Sequence, residues 1–385
     1  MNKKYEKLFE SVQLPNGRVL ENRFVMAPMV VEGSSYEGDV QEDDLKYFAR
    51  RSKSAGTLIA GAANVGPLGN AFGYGLSNKS DDQLEGLTQL ATTMKADGAT
   101  AIAQIFHPGR EAKYSYKDEG KVYGPSDANY SFLPYPVTGL TAVQVEEFIG
   151  YFKDATRRSI AAGFDGVEIH GANHYLIQQF FSEISNTRTD QWGGSLEKRA
   201  AFPKAILKAV KEVVKDSGRI DFIIGYRISP EEIHGDNVGY TADEALYLIE
   251  ELTNIGLDYI HTAQWGPEAY KTTSKRGQHQ GQVINALVKD VIAGKAVLIG
   301  AGDVTSPDKA LDALNYVDLV AMASAIIVEP DFVEKLKNGH EADINFDVAG
   351  RVEDLALPAN FYLQAPPLKA SGSIPAESIA LLETK

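Results

Sequence analysis

Apolar residues along the chain concentrate in eight short runs that are rich in strand-forming residues. Runs of this length, separated by longer stretches of a different pattern, are typical of buried β-strands. The predicted strands are Arg23–Met29, Thr57–Ala62, Thr100–Phe106, Gly166–His170, Phe222–Ile228, Tyr259–Ala263, Ala296–Gly300 and Leu319–Ala323.

Between these runs, apolar residues recur with the 3.6-residue period of a helix. Helix-start signals occur at Ser80, at Thr241 and at Ser306-Pro307. The predicted helices include Asp81–Lys95, Ala142–Ala162, Leu196–Lys215, Ala242–Asn254 and Val283–Ala293.

Strands that alternate with helices indicate an α/β protein with parallel strands covered by helices. Eight such units predict a single closed (β/α)8 TIM barrel. An open doubly wound sheet is the alternative, but no G-x-G-x-x-G motif follows a first strand.

The end of the chain has a different character, rich in proline and small residues, as in LPANFYLQAPPLKASGSIP. We therefore divide the chain into a barrel over residues 1–339 and a C-terminal extension over residues 340–385. The extension is predicted to be an extended arm that packs on its own barrel. Contact with a neighbouring subunit, and hence a homo-oligomer, is the alternative.

Composition narrows the class of protein. The 385 residues carry a formal net charge of −14, which argues against nucleic acid or an anionic membrane as the main partner. The chain has no cysteine, which excludes disulfides, iron–sulfur clusters, thiolate zinc sites and thiol catalysis. No secretory signal and no apolar run of membrane-spanning length is present, so we expect a cytoplasmic protein.

Polar residues cluster where the predicted strands end, which is where barrels of this type carry their sites. Gln104 lies in the third strand, and Arg227 lies in the fifth. His170 closes the fourth strand and is followed at once by Asn173 and Tyr175. A hydrogen-bonding pair beside a phenol suits binding of a carbonyl oxygen and transfer of a proton to its neighbour.

Two other interpretations of these residues stay open. Arg227 can form a structural pair with a buried carboxylate such as Glu168, although a ligand role is favoured because Gln104 and His170 should face the same mouth. His170 and His174 have the i, i+4 spacing of helical zinc ligands, but the glutamate of that motif is absent and they straddle a strand end. We predict no metal site.

The last two predicted units carry a candidate phosphate site. Gly302 and Asp303 follow the seventh strand, and Ala323 and Ser324 end the eighth. Barrels often bind phosphate on these two loops through backbone N–H groups and a helix N-terminus.

Taken together, the motifs resemble the Old Yellow Enzyme family of FMN-dependent ene-reductases over roughly residues 7–337. The motifs that carry the resemblance are NRFVMAPM, QIFHPGR, EIHGANHYLIQQFFSEISNTRTDQWGGSLEKR and YRIS. The long third motif is the most specific of them. Without cysteine or the length for a second domain, the chain resembles the stand-alone barrel form.

This resemblance implies tightly bound FMN, with NADH or NADPH as the hydride donor. It places Gln104 at the pyrimidine edge of the flavin and Arg227 beside N1 and the C2 carbonyl. The residues that it assigns to cofactor binding are Ala27, Pro28, Met29, Val30, Ala62, Gln104, Arg227, Gly302, Asp303, Ala323 and Ser324.

The resemblance also implies the catalytic roles. His170 and Asn173 would bind the carbonyl oxygen of an activated alkene or the carboxamide of nicotinamide, and Tyr175 would donate a proton. The expected reaction is NAD(P)H-dependent reduction of the C=C bond of α,β-unsaturated carbonyl compounds.

Two departures from the family pattern bear on the flavin. Val30 stands where many relatives have threonine or cysteine, so it offers no hydrogen bond and predicts a flavin that is harder to reduce. Ala323-Ser324 replaces the usual Gly-Arg, which removes a bidentate cation from the phosphate. Lys275 and Arg276, after the sixth strand, are the candidate replacements.

Two other functions stay open from the sequence. One is an FMN-binding barrel without physiological turnover. The other is a flavin-free, phosphate-binding lyase or isomerase, although none of the predicted strands contains the lysine that such an enzyme would be expected to use.

Overall fold

Eight parallel strands close into a barrel in the computed structural model, which describes residues 1–383. The strands follow one another around the barrel in chain order, and the last pairs with the first. Their bounds are β1 Phe24–Met26, β2 Thr57–Asn64, β3 Thr100–Phe106, β4 Gly166–Gly171, β5 Ile223–Ile228, β6 Tyr259–Thr262, β7 Val297–Ala301 and β8 Leu319–Met322. The predicted TIM barrel is confirmed, and the open sheet is not formed.

Helices lie in the connections between the strands, and further helices follow the last strand. In chain order they are α1 Glu42–Arg50, α2 Leu84–Met94, α3 Lys113–Glu119, α4 Ala142–Ala161, α5 Leu176–Phe181, α6 Leu196–Arg199, α7 Ala201–Ser217, α8 Ala242–Ile255, α9 Ile284–Ile292, α10 Pro307–Ala313, α11 Ser324–Val328, α12 Phe332–Lys337, α13 Ala365–Ser371 and α14 Ala376–Leu382.

The predicted start signals act as helix caps. The Ser306 hydroxyl accepts a hydrogen bond from Lys309 N, and Thr241 forms a capping box with Glu244. Ser80 caps a short 3₁₀ turn that leads directly into α2. These bonds satisfy backbone N–H groups that the first helical turn leaves without partners.

Two predicted helices differ in detail from the structure. Leu196–Lys215 is divided at Ala200 into α6 and α7. Asp81–Lys95 begins as a 3₁₀ turn over Asp81–Gln83 before α2 starts. Apolar periodicity continues through both junctions, so it does not reveal where the hydrogen-bonding pattern changes.

The core has two parts, one inside the barrel and one between the strands and the helices. The interior includes Val25, Ile59 and Ile102, all at most 1% exposed. The outer part packs Phe152 of α4 and Leu207 of α7 against the sheet. A barrel filled in this way leaves space for a ligand only at its ends.

The C-terminal extension is not the extended arm that its composition predicts. It contains a 3₁₀ turn over Phe361–Gln364 and the helices α13 and α14. The prolines at 366 and 367 fall in the first turn of α13, where a missing N–H costs nothing. The extension packs on its own barrel, because the Gln364 amide donates to Glu32 Oε1 at 2.9 Å.

Candidate active site at the carboxyl mouth of the barrel

Strand register brings the predicted polar residues to two successive levels near the mouth of the barrel. Gln104 of β3 lies opposite Glu168 of β4. His170 of β4 lies opposite Arg227 of β5, which in turn lies opposite His261 of β6. Because neighbouring parallel strands present matched residues at the same height, these side chains meet near the carboxyl ends.

A cavity of about 620 Å³ opens at this mouth. Its volume is in the range of small-molecule and cofactor sites. Of the residues predicted from the sequence, it is lined by Pro28, Met29, Val30, Ala62, Gln104, His170, Asn173, Tyr175, Arg227, Ala323 and Ser324.

A buried carboxylate organises the floor of the site. Glu168 Oε1 accepts a hydrogen bond from Gln104 Nε2 at 2.7 Å, and Oε2 lies 2.9 Å from His261 Nδ1. Burial acts to raise the pKa of Glu168, but His261 and Arg227 outweigh it and the net pKa is lowered. Burial also lowers the pKa of His261. The pair is therefore a carboxylate that accepts an N–H from a neutral imidazole.

The structural pair considered for Arg227 is not a direct contact. Glu168 takes its hydrogen bonds from Gln104 and His261, and Nε of Arg227 is buried without a partner. A buried donor without a partner costs free energy, so such groups are normally satisfied by a ligand or water. This favours the ligand role of Arg227.

The fit of a flavin to the site can be judged from the buried polar atoms that have no hydrogen-bond partner. Nδ1 of His170, Oδ1 of Asn173 and both amide atoms of Gln264 are buried and without a partner. All three side chains line the same cavity as Arg227. A polar ring system with donors and acceptors on its edge, such as the isoalloxazine of FMN, matches this set, and so the residues present fit the cofactor.

His170 and Asn173 form a pair that faces the cavity. Asn173 Nδ2 lies 3.5 Å from His170 Nε2. Asn173 has a φ of 56°, a left-handed conformation that asparagine tolerates, and its N–H donates to Ser229 Oγ at 3.0 Å. Burial and the nearby Arg227 lower the pKa of His170 well below its usual value. A neutral imidazole can then donate one N–H to a carbonyl oxygen.

Tyr175 lies edge-on to its neighbours. Its ring centroid is 4.9 Å from that of Phe106 and 5.1 Å from that of His170, with tilts of 68° and 80°. Burial raises the pKa of Tyr175, and the charge of Glu111 acts in the same direction. The phenol is protonated at neutral pH and can serve as a proton donor.

A smaller cavity of about 160 Å³ adjoins the first at the ends of β7 and β8. Ala27, Gly302, Asp303, Ala323 and Ser324 line it. The two cavities have common walls that include Arg227 and Gln264.

Gly302 and Asp303 have distinct local structures at this smaller cavity. Gly302 has a φ of 143°, and an added Cβ would lie 2.5 Å from Ala269 N, so only glycine fits. Asp303 Oδ2 accepts a hydrogen bond from Lys309 Nζ at 2.6 Å, which balances its charge beside the predicted phosphate.

The two cations expected to replace the family arginine lie elsewhere. Arg276 lies 3.3 Å from Asp236 and lines neither cavity. Lys275 lines the larger cavity but not the one at Gly302 and Ser324. The prediction of cationic substitutes at the phosphate end is therefore wrong for Arg276, and Lys275 is displaced from that end.

Sequence reasoning missed three contributors to the site. His261 lies in a predicted strand, but its partner Glu168 is 93 residues away. Gln264 follows the same strand directly and is a polar residue at a strand end, which is the signal that could have revealed it. The face of α13 is the third and has no signal in the sequence. Trp265, which the sequence offers either as a pocket-lining residue or as simple loop packing, is 71% exposed and lines both cavities.

The structure places His174 beside Glu232 and His234, which are not the partner that its i, i+4 spacing from His170 suggested. A ligand atom of His174, one of Glu232 and one of His234 all lie within 4.8 Å of one another. The Glu232 carboxylate takes hydrogen bonds from Gln178 Nε2 and Ser182 Oγ, each at 3.0 Å. The absence of a metal site stays a prediction.

A (β/α)8 barrel with this polar set at its carboxyl mouth defines the class as a flavin-dependent oxidoreductase. The sequence model of the NADH:flavin oxidoreductase / NADH oxidase family matches residues 7–343, and the chain belongs to that family. The resemblance to Old Yellow Enzyme, the enzyme class and the FMN and nicotinamide cofactors are thereby confirmed.

Three similar proteins illustrate this membership. A probable NADH-dependent flavin oxidoreductase of Bacillus subtilis is 39% identical over 91% of this chain and 93% of its own length. The NADH:acrylate oxidoreductase of Vibrio harveyi is 38% identical over 91% of this chain but only 35% of its own length. The structure of morphinone reductase in complex with tetrahydroNAD superposes with a TM-score of 0.74 at 27% identity, covering 88% of this chain and 92% of that one.

Among residues 1–383, no helix has the length and apolar character required to cross a membrane.

Proposed function

We propose that the protein uses NADH or NADPH to reduce the C=C bond of α,β-unsaturated carbonyl compounds. The observation that carries this proposal is that His170, Asn173 and Tyr175 line one cavity together with Gln104 and Arg227. The proton donor, the carbonyl-binding pair and the groups that face the flavin therefore all act on the one substrate that is bound in this cavity at a time.

FMN, when bound, would supply the redox chemistry, which is the transfer of a hydride equivalent from the reduced nicotinamide to the β-carbon of the alkene. Arg227 and Gln264 would hold the polar edge of the ring, because their buried donors have no partner among residues 1–383. The permanently charged guanidinium also favours the negative charge that reduction brings to that edge.

His170 and Asn173 would hold and polarise the substrate carbonyl. Their facing nitrogen atoms lie 3.5 Å apart, so one oxygen within reach of both can accept two hydrogen bonds. Polarisation makes the β-carbon more electrophilic. Since His170 is neutral, it binds the oxygen by donating its one ring N–H and does not transfer that proton.

Tyr175 would complete the addition by giving its phenolic proton to the α-carbon. Hydride at the β-carbon and this proton at the α-carbon together add one H₂ across the double bond. Its raised pKa keeps the proton on the phenol until a strong carbon base develops. The proton is then restored from solvent.

The test is the visible spectrum of the purified protein, recorded anaerobically after NADH and then after 2-cyclohexenone. We expect a flavin band that bleaches with NADH and returns with the enone. Acrylate serves as a second oxidant, because the Vibrio harveyi relative is named for that substrate.

Two outcomes would replace the proposal. A flavin that bleaches but is restored by neither alkene would favour an FMN-binding barrel without this turnover. A colourless protein that stays inactive with added FMN would favour the flavin-free lyase or isomerase.

A further inference from the structure

The smaller cavity, between the ends of β7 and β8, offers few charges for an anionic ligand. Among its lining residues Arg227 is the one cation, and Asp303 is the one anion. Lys309 is paired with Asp303 at 2.6 Å and lines neither cavity. A phosphate in this place must therefore be met mainly by backbone N–H groups and hydroxyls.

Half of the hydroxyl groups on this cavity come from the C-terminal extension. Thr305 and Ser324 belong to the barrel, whereas Ser371 and Ser373 belong to the extension. The family match ends at residue 343, so the last two serines lie outside the part of the chain that the family model describes.

One face of α13 also lines the larger cavity. Pro367, Leu368 and Ser371 do so together with Gln364 at the start of the helix, and these four positions follow the i, i+3, i+4, i+7 pattern of one helical face. Gly372, with a φ of 67°, then ends the helix in a left-handed turn. That turn brings Ser373 to the smaller cavity, so the extension covers both cavities continuously.

The extension is held firmly in this position. Gln364 donates to the buried Glu32, whose other oxygen accepts from Tyr74 N at 2.7 Å. Leu368 of α13 and Leu382 of α14 are at most 1% exposed. This anchoring makes the cover part of the folded site rather than a loose tail.

We propose that the C-terminal extension completes the FMN site, with the Ser371–Ser373 turn closing the end that holds the phosphate. The Ser373 hydroxyl, which among residues 1–383 is held only by a 3.5 Å bond to the Ser371 carbonyl, takes the place of a cation on the barrel, whereas the Ser371 hydroxyl already donates to the Leu368 carbonyl at 2.7 Å. The inference rests on the proposed function and on the expectation from the sequence that the FMN phosphate lies at the β7 and β8 loops.

Substitutions at Ser373 test the proposal by the sign of their effect on FMN affinity. We expect Ser373→Asp to raise the FMN dissociation constant about tenfold and Ser373→Arg to lower it by a similar factor, because a phosphate dianion is repelled by one and attracted by the other. The readout is the fluorescence of FMN released from the holoenzyme at equilibrium. Added salt should reduce both effects.

The matched controls are Ala380→Asp and Ala380→Arg, at an exposed position of α14 that lines neither cavity. They should change the dissociation constant by less than about twofold. The proposal is overturned if the Ser373 variants behave like these controls, or if both weaken binding, as general disruption of the turn would do. A protein that binds no FMN at all would instead overturn the proposed function itself.

Discussion

The two ends of the site hold their ligand-facing groups in opposite ways. At the β3–β6 end, side chains from different strands form a buried charged network around Glu168. At the β7–β8 end, a glycine turn, short loops and serine hydroxyls from outside the barrel line the cavity. The first end is arranged to control charge and protons, whereas the second is arranged to fit a shape.

The largest expected effect comes from a substitution that removes the proton donor at the charged end. Tyr175→Phe should slow flavin reoxidation by 2-cyclohexenone by about a hundredfold, because a positioned general acid contributes at least this much. Reduction by NADH should be nearly unchanged, since that half-reaction needs no proton from the phenol. Stopped-flow absorbance measures the two half-reactions separately, and equal slowing of both would contradict the assigned role.

The two ends of the site also differ in how far their residues can be predicted from the sequence. His170, Asn173, Tyr175 and Arg227 can be predicted because they lie in or directly after strands whose apolar runs are unambiguous. All four line the expected cavity.

The contribution of the C-terminal extension could not be predicted, because composition alone does not reveal its short helices or their packing. α13 contains two prolines and several small residues, a composition that favours an extended chain. Its helical form is supported by tertiary burial of Leu368 and by the bond from Gln364 to Glu32. His261 was missed for a related reason, since its partner lies far away in the chain.

The second prediction concerns how the free energy of unfolding depends on pH through the titration of His107. His107 follows β3, accepts a hydrogen bond from Gly109 N and lies 2.8 Å from the Pro67 carbonyl. Burial lowers the pKa of His107 to about 4, although the bond to Pro67 acts in the opposite direction. A histidine with a depressed folded-state pKa contributes stability that is complete above about pH 6.5 and is lost as the pH falls towards 4.

We therefore expect the free energy of unfolding of the wild type to fall by about 3 kcal/mol more than that of His107→Gln between pH 7 and pH 4. Urea unfolding at several pH values measures the difference. The comparison with the variant removes the contribution of carboxylates common to both proteins. Parallel pH profiles of the two proteins would show that His107 does not titrate as proposed.

The third prediction concerns the shape-fitting end and is smaller. Asp303→Asn should tighten FMN binding about threefold, because it frees the positive charge of Lys309 beside the phosphate cavity. Asparagine suits the left-handed backbone here, where φ is 51°. Lys309→Met should act in the opposite direction. Fluorescence titration measures both, and a weaker affinity for Asp303→Asn would argue against a phosphate at this end.

The smallest effect concerns Val30, which lines the larger cavity and has no side-chain donor to offer a flavin. Val30→Thr should raise the flavin midpoint potential by about 20 mV, the equivalent of one net hydrogen bond of about 1 kcal/mol in a two-electron couple. Val30→Ala is the control, because it changes bulk without adding a donor. A redox titration that gives equal potentials for wild type and Val30→Thr would refute the expectation.

The central claim is that one cavity carries out both half-reactions of C=C reduction. Its most direct test is product analysis after anaerobic turnover of NADH with 2-cyclohexenone. We expect one cyclohexanone formed for each NADH consumed, with the carbonyl group intact. Consumption of NADH that needs oxygen and yields no cyclohexanone would contradict the claim.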